Sequence, residues 1–207
     1  MHSPLSPQAE LAGVHVDVQR TAVLRGLDLV VAAGEVLGLI GANGSGKTTL
    51  LKVLATLVTP VEGTVRVRGP VVLLGHSPAL YPQLTLRENL RFVAGLAGRD
   101  DAVADAALAT VGLAAAADRR ADRCSHGMRR RADLARVFVT EPSLLLLDEV
   151  HTGLDVASAG LVDHVLDVVR HRDGASVVVS HDRDQVTRST DRVVELVAGR
   201  VGPAVIV

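Results

Sequence analysis

The sequence predicts an α/β fold with a mainly parallel core sheet, helices on both faces, an antiparallel β layer and a small helical subdomain at about residues 77–127. Strands such as 144–147 and 177–179 are continuous apolar runs, and helical segments alternate with them. A strand that is apolar at every position is buried on both faces, as in a parallel sheet between two helical layers. Alternating strands near the N-terminus predict the antiparallel layer, and an alanine-rich middle predicts the small helices.

Length, composition and charge narrow the class of protein. With 207 residues one domain is expected, and the net charge of −1 is not that of a polycationic protein, so nucleic acid is not expected as a partner. No signal peptide is expected, and no uncharged apolar run reaches the roughly 18–20 residues that span a bilayer. The single cysteine, Cys124, excludes an internal disulfide and suits a reducing compartment.

The first part of the chain contains the antiparallel strands. Residues 1–8 are rich in Pro and Ser and are predicted to be disordered, ahead of one domain at 9–207. Strands are predicted at 14–18 and 22–31. Together with a strand at 63–69 they form the antiparallel layer.

A glycine-rich stretch follows the apolar run 36–40 and precedes a segment of helical content. The pattern G-x-x-x-x-G-K-[ST] between a strand and a helix is a P-loop, in which backbone N–H groups and a helix N-terminus face phosphate oxygens. Lys47 is expected to reach the β- and γ-phosphates, and the Thr48 hydroxyl to ligate Mg²⁺. The stretch therefore predicts binding of a nucleoside triphosphate. Its residues are Gly41, Ala42, Asn43, Gly44, Ser45, Gly46, Lys47, Thr48 and Thr49.

The middle of the chain is predicted to be mostly helical. The P-loop helix is expected to end at Thr59-Pro60, because proline cannot continue a helix. A core strand follows at 71–74. Thr85 is a candidate N-cap for a helix that runs through Phe92, and small helices are expected over 100–122.

A basic window at 119–131 leads into a predicted helix at 128–139. Most of its arginines are expected to form a solvated helix face.

The apolar strand 144–147 then ends in two carboxylates. Beside a P-loop, Asp148 can hold Mg²⁺ through water, and Glu149 can orient or deprotonate the attacking water.

The last elements place a histidine at a strand end. A helix is predicted at 157–170 with Gly174 as its stop, followed by the strand 177–179 and then Ser180-His181-Asp182. Ligand crevices in open α/β sheets form at the carboxyl ends of the strands. His181 is therefore a candidate site residue.

The P-loop is followed by a Ser-x-Gly motif about twenty residues before Asp148-Glu149, then by 152–155 (Thr-Gly-Leu-Asp) and a later Ser-His-Asp. Over about residues 11–201, this order of motifs resembles the ATP-binding subunit of ABC transporters. The resemblance implies a P-loop NTPase fold of ABC type that hydrolyses ATP with Mg²⁺. It also implies an integral membrane permease and a second ATP-binding subunit, most simply in an ATP-dependent homodimer, as partners at the cytoplasmic face of the cell membrane.

The resemblance implies roles for seven residues in four motifs. In the family, the signature segment, usually Leu-Ser-Gly-Gly-Gln, binds the γ-phosphate of ATP held by the other subunit. Asp155 matches the D-loop, and His181 matches the switch histidine that contacts the γ-phosphate. His76 occupies the position of the Q-loop glutamine, which senses Mg²⁺ and touches the membrane subunit. The signature positions here are Ser125, His126, Gly127 and Met128.

Several positions depart from the family pattern. Cys124, His126 and Met128 replace the usual Leu, Gly and Gln of the signature, and His126 puts a side chain where the family mostly has none. Val18 stands where many members carry an aromatic residue that stacks on adenine. The base is then gripped less tightly, or Arg20 covers it.

The subgroup and the transported molecule stay open. Leu74-Gly75-His76-x-Pro78 and the compact length resemble the heme-exporter ATP-binding subunit of cytochrome c maturation. Ser-His-Gly-Met followed by arginines is instead similar to ATPases of drug, lipid or polysaccharide exporters. A soluble iron–sulfur-assembly ATPase and a subunit that no longer hydrolyses ATP are further alternatives. The presence of Lys47, Glu149 and His181 argues against a subunit that no longer hydrolyses ATP.

Overall fold

The structure is a computed structural model that describes residues 6–149, 156–180, 183–202 and 205–206. Contacts divide the chain into two compact units. The first unit contains Met1–Leu73, Pro142–Glu149 and Val168–Val207, and the second contains Leu74–Glu141 and Val150–Asp167. The second unit therefore extends past the helical subdomain expected at about 77–127.

The strands and helices follow the predicted order. The strands are β1 (Ala9–Val18), β2 (Thr21–Val31), β3 (Val36–Ile40), β4 (Glu62–Val67), β5 (Val71–Leu74), β6 (Leu144–Asp148), β7 (Ala175–Val179), β8 (Arg192–Val197), β9 (Arg200–Val201) and β10 (Val205–Ile206). The helices are α1 (Lys47–Leu54), α2 (Leu86–Leu96), α3 (Ala102–Thr110), α4 (His126–Thr140), α5 (Val156–Arg170) and α6 (Arg183–Ser189).

The described strands form two sheets, which confirms the predicted α/β fold. An antiparallel sheet has the order β2-β1-β4. The larger sheet has the order β10-β8-β3-β7-β6-β5, with β9 paired to β8. Its centre is parallel: β3 pairs with β7 and β8, and β6 pairs with β7. All five residues of β7 are buried, as expected for a strand covered on both faces.

The register of the parallel strands brings distant segments to one edge of the sheet. Leu39 of β3 and Asp148 of β6 both have Val179 of β7 as their Cα partner. The carboxyl ends of these three strands therefore lie side by side. The P-loop leaves β3 at this edge, and the two carboxylates leave β6 at the same edge.

The end of α1 differs from the prediction, because the helix stops well before Pro60. Thr56 adopts a left-handed conformation with φ of 57°. Its N–H donates to Val53 O at 2.9 Å, and the N–H of Leu57 donates to Lys52 O at 2.8 Å. This pair of bonds is a Schellman motif, which ends the helix without a proline.

The N-terminal segment is ordered at least from Gln8. The N–H of Gln8 donates to Val31 O at 2.9 Å, and Gln8 O accepts from the N–H of Arg68 at 3.0 Å. Gln8 thus extends the pairing of β1 on both sides, which corrects the expected disorder at this residue. Residues 1–5, the first part of that segment, lie outside the described residues.

The second unit is helical, and it contains the N-cap predicted at Thr85. Thr85 caps α2 with a capping box: its hydroxyl accepts from the N–H of Glu88 at 3.1 Å, and the Glu88 carboxylate accepts from the N–H of Thr85 at 2.7 Å. Short 3₁₀ helices occur at Ala114–Ala116 and Ala121–Arg123. The buried faces of α2, α3 and α4 share one apolar cluster, which includes Leu86, Leu108 and Ala135.

Candidate functional site

The P-loop has a backbone that only glycine can adopt at two positions. Gly41 has φ of 150°, and a Cβ there would lie 2.4 Å from Leu196 O. Gly46 has φ of 109° and is the N-cap of α1, where a Cβ would lie 3.0 Å from Leu24 Cδ2. The glycines therefore allow the loop to turn tightly into the helix. The first N–H groups of α1 have no partner within the helix and are suited to anion binding.

Lys47, the first residue of α1, is buried and folded back onto the loop. Its ammonium group donates to Gly41 O at 2.7 Å and to Ala42 O at 3.0 Å. The side chain is 7% exposed, so its positive charge is concentrated inside the loop rather than in bulk solvent. This arrangement fits an anionic ligand held in the loop.

Thr48 and Asp148 are neighbours although they are far apart in sequence. The Thr48 hydroxyl donates to Asp148 Oδ2 at 3.0 Å. A hydroxyl and a carboxylate are oxygen groups of the kind that Mg²⁺ prefers, and Mg²⁺ in proteins usually keeps several waters. The pair therefore fits an Mg²⁺ ion that Thr48 would bind directly and Asp148 through water. No group of three His, Cys, Asp or Glu side chains suited to a metal occurs among the described residues.

A second feature of the loop also fits a polar ligand. Ser45 is 8% exposed, and its Oγ has no hydrogen-bond partner within the part of the chain that the structure describes. Buried polar atoms in folded proteins nearly always have a partner. A bound phosphate group would supply one.

Glu149 has a strained backbone next to the strand end. Its φ of 57° is left-handed, which is uncommon for a residue with a side chain, and such outliers cluster at functional sites. Its N–H donates to Val179 O at 3.0 Å, which ties the turn to the end of β7. Glu149 also lines the cleft over the P-loop. That cleft has a volume of ≈ 390 Å³ and is lined by Val23, Asn43, Gly44, Gly46, Lys47, Thr48, Thr49 and Glu149.

The predicted adenine contacts lie at the tip of the β1–β2 hairpin. Val18 is the last residue of β1 and pairs with Thr21. Gln19 and Arg20 form the two-residue turn, with φ of 49° and 65°. Val18 is 45% exposed, and Arg20 is also exposed. Both side chains are therefore open to solvent, and whether Arg20 covers the base or the base is gripped less tightly stays a prediction.

The signature segment lies at the start of α4, in the second unit. Ser125 is the N-cap of the helix, and its Oγ accepts from the N–H of Met128 at 3.2 Å. Ser125 and His126 are exposed, whereas Gly127 and Met128 are half-buried. The serine hydroxyl thus stands at a helix N-terminus, a place that favours an anion. The His126 side chain, which replaces the usual glycine of the signature, is exposed at the first position of α4.

Arg130 is an exception to the solvated face expected for most arginines of the basic window. This residue is fully buried, and its guanidinium donates to Gly75 O at 2.7 Å and to His76 O. Asp133, one turn later on α4, is also fully buried. Both belong to the apolar face with Leu134 and share its helical spacing, which is the signal that could have revealed their burial.

The remaining predicted residues are placed only in part. His76 lies just after β5 and is exposed. Asp155 and His181 lie outside the described residues, so their roles remain predictions.

The buried thiol of Cys124 donates to Arg120 O at 3.3 Å, and burial raises its pKa, so it is a packing residue rather than a thiolate.

Comparison with known proteins identifies similar sequences. The family described as ABC transporter matches residues 24–152. The cytochrome c biogenesis ATP-binding export protein CcmA 2 of Cupriavidus metallidurans is 41% identical over 78% of this chain and 83% of its own length. The corresponding protein CcmA of Bordetella bronchiseptica is 40% identical over 83% of each chain. The bicarbonate transport ATP-binding protein CmpC of Synechococcus elongatus is 34% identical over 85% of this chain but only 29% of its own length.

Solved structures share the fold. A structure described as the ATP binding subunit of an ABC transporter superposes with a TM-score of 0.89 at 26% identity, covering 97% of this chain and 90% of that one. A dimeric post-hydrolysis state of an ATP-binding cassette, bound to ADP and phosphate, has a TM-score of 0.85 at 24% identity. The second likeness bears on the fold alone.

Proposed function

This chain belongs to the ABC transporter family, and from that premise we propose that it is the ATP-hydrolysing subunit of an exporter that serves cytochrome c biogenesis, with heme as the exported molecule. The observation that carries this proposal is the identity of 41% and 40% to two cytochrome c biogenesis ATP-binding export proteins, each matched over 83% of its length. His76 followed by Pro78 agrees with it, since this pattern resembles the same subgroup.

In the proposed mechanism the P-loop binds the phosphates of ATP. The N–H groups of residues 41–49 and the buried ammonium of Lys47 compensate the phosphate charge. A bound Mg²⁺ would neutralise further charge on the β- and γ-phosphates, and the Thr48 hydroxyl and Asp148 carboxylate would hold it. Arg20 would cover the adenine, or the base would be held less tightly than by the aromatic residue that Val18 replaces.

Hydrolysis requires a group that orients and deprotonates water. The carboxylate of Glu149, at the edge of the same cleft, is the proposed base, and it accepts a proton as water attacks the γ-phosphorus. The products are ADP and inorganic phosphate. His181 is proposed as the second catalytic residue, in contact with the γ-phosphate.

The second subunit would complete each site. Ser125 and its helix would contact the γ-phosphate of ATP bound to another copy of this chain, with Asp155 between the two copies. An integral membrane permease is the other proposed partner, at the cytoplasmic face of the membrane. Within the described part of the chain, no helix combines the length and apolarity needed to cross a bilayer.

A different exported molecule is the second candidate. The signature, Ser125-His126-Gly127-Met128 followed by three arginines, is more similar to ATPases of drug, lipid or polysaccharide exporters. The ATP chemistry would be the same in that case. Only the membrane subunit and its cargo would differ.

Glu149→Gln tests the proposed ATP chemistry. The amide cannot take a proton, so ATP should still bind while turnover stops. With ATP the variant should elute as a dimer in size-exclusion chromatography. Glu62→Gln, which changes an exposed glutamate on β4, is the matched control and should hydrolyse ATP at the normal rate. An ATP-bound Glu149→Gln protein that stays monomeric would contradict the proposed dimer.

Complementation separates the two candidate cargoes. A bacterial strain without its own cytochrome c biogenesis ATP-binding export protein should again form c-type cytochromes when this chain and its permease are expressed. The Glu149→Gln variant should fail in the same assay. A protein that hydrolyses ATP in vitro but does not restore cytochromes would favour the drug, lipid or polysaccharide candidate.

A further inference from the structure

One buried side chain connects the two segments of the second unit that carry proposed site residues. Arg130, in α4, is fully buried and reaches the segment that follows β5. Its Nη1 donates to Gly75 O at 2.7 Å, and its Nη2 donates to His76 O. The planar guanidinium thus binds two consecutive carbonyl groups, one of them belonging to His76.

Asp133 holds the other end of the same segment. It is also fully buried, and its Oδ1 accepts from the N–H of Ala79 at 3.2 Å and from Arg136 Nη1 at 2.8 Å. Its Oδ2 lies 3.8 Å from Arg130 Nη1. One face of α4 therefore pairs a cation with the carbonyls at residues 75–76 and an anion with the N–H at residue 79.

Stability alone does not explain these buried charges. Burial lowers the pKa of Arg130 and raises the pKa of Asp133, because desolvation disfavours the charged form of each group. Buried ion pairs add little net stability compared with apolar side chains of similar size. What a bidentate guanidinium supplies is a defined geometry.

The helix that carries Arg130 begins at the signature. Ser125 is the N-cap of α4, five residues before Arg130, which corresponds to a rise of about 7.5 Å along a helix. A helix of this length moves as a unit because each turn is bonded to the next. Any displacement of Ser125 along the helix axis therefore reaches Arg130 and the carbonyls that it binds.

We propose that Arg130 is a positioning residue that couples Ser125 to His76, so that engagement of the partner's ATP by the signature sets the position of His76. This inference rests on the proposed function, because the contact of Ser125 with a second copy's ATP is part of it. The coupling links two distinct sites through one rigid element.

Arg130→Lys tests the coupling with little change in charge or size. A lysine cannot donate to two carbonyls as a planar fork, so the 75–79 segment loses its defined attachment. The matched control is Arg131→Lys, on the same helix, where Arg131 Nη1 donates to Val111 O at 3.3 Å and not to a carbonyl of the 75–79 segment. Melting temperatures verify that both variants fold.

The main readout is the imidazole NMR signal of His76, measured with each lysine variant combined with Glu149→Gln. The signal is assigned by its loss in the His76→Gln protein. ATP should shift this signal in the Arg131→Lys protein. In the Arg130→Lys protein ATP should still produce the dimer but leave the signal unshifted. With Glu149 restored, Arg130→Lys should lower kcat about tenfold and change KM less than about twofold, as expected for loss of one bond to a charged group. Equal shifts and equal kcat in the two lysine variants would overturn the proposal.

Hydrogen exchange provides a second test that needs no Arg130 variant. In Glu149→Gln protein, trapping with ATP should change the exchange rate of the Ala79 amide, which is bonded to Asp133. The Leu113 amide, bonded to Leu108 O at the end of α3, is the internal reference. An Ala79 exchange rate that is the same with and without ATP would overturn the coupling. Absence of ATP-driven dimerisation would instead contradict the proposed function on which the coupling rests.

Discussion

The two lysines of this protein occupy opposite environments on one helix. Lys47 and Lys52 are the only lysines in the sequence, and both belong to α1. Lys47 is buried and bonded to the carbonyls of Gly41 and Ala42, whereas Lys52 is exposed. The same side chain can therefore be removed from the proposed phosphate site and from the surface of the same helix.

Lys47→Ala should weaken ATP binding by about tenfold to a hundredfold, because hydrogen bonds to charged groups contribute about 1.5–3 kcal/mol. Lys52→Ala should change the affinity by less than about twofold, because an exposed charge contributes little. Equilibrium binding of a fluorescent ATP analogue measures both. Equal losses in the two variants would show that Lys47 does not contact the phosphates.

At the scale of the secondary structure elements, the start of α2 holds a carboxylate that accepts two hydrogen bonds from one residue. The Glu88 carboxylate accepts from the N–H of Thr85 at 2.7 Å and from its hydroxyl at 2.9 Å. These bonds favour the ionised form and lower the pKa of Glu88. A carboxyl whose pKa is lowered on folding adds stability above its unfolded pKa of about 4.3, and that stability is lost as the pH falls through the folded pKa.

Glu88→Gln should therefore flatten the acid side of the stability profile. The amide can still accept from Thr85, but it does not titrate, so the variant should lose less stability than the wild type between about pH 5 and pH 3. Urea unfolding at a series of pH values measures the difference. Glu62→Gln, at an exposed position of β4, is the matched control for the loss of one carboxylate. Parallel curves for Glu88→Gln and wild type would show that the capping box does not perturb Glu88.

At the scale of the whole molecule, the proposed dimer has sites that are shared between its two copies. In the proposed dimer each site takes its P-loop from one copy and its signature from the other. Ser125→Arg should block hydrolysis but leave ATP affinity of the monomer nearly unchanged, whereas Lys47→Ala should weaken binding. Both variants alone should be inactive.

Mixing the two variants should restore activity. One site of the mixed dimer combines an intact P-loop with an intact signature, and the other site carries both changes. ATPase activity that rises on mixing, towards about a quarter of the wild-type value if dimers form at random and each site works independently, supports composite sites. Mixtures that stay as inactive as the separate variants would exclude them.

Local sequence was sufficient wherever a structure depends on neighbouring residues. The P-loop, the cap at Thr85 and the apolar strands 144–147 and 177–179 follow from short patterns, because glycine conformations, side-chain caps and burial on two faces are local requirements. The order of the motifs was enough to recognise the family. The end of α1 was predicted too late, since a Schellman motif at a threonine has no strong sequence signal.

Contacts between distant residues required the folded chain. Thr48 and Asp148 are 100 residues apart in sequence, yet their oxygens lie 3.0 Å apart because β3, β7 and β6 end at one edge of the sheet. The burial of Arg130 likewise depends on the carbonyls at residues 75–76, which lie more than 50 positions earlier. A pattern of residue types does not tell whether an arginine side chain is solvated or buried. Which of these occurs depends on partners that only the packing of the chain brings together.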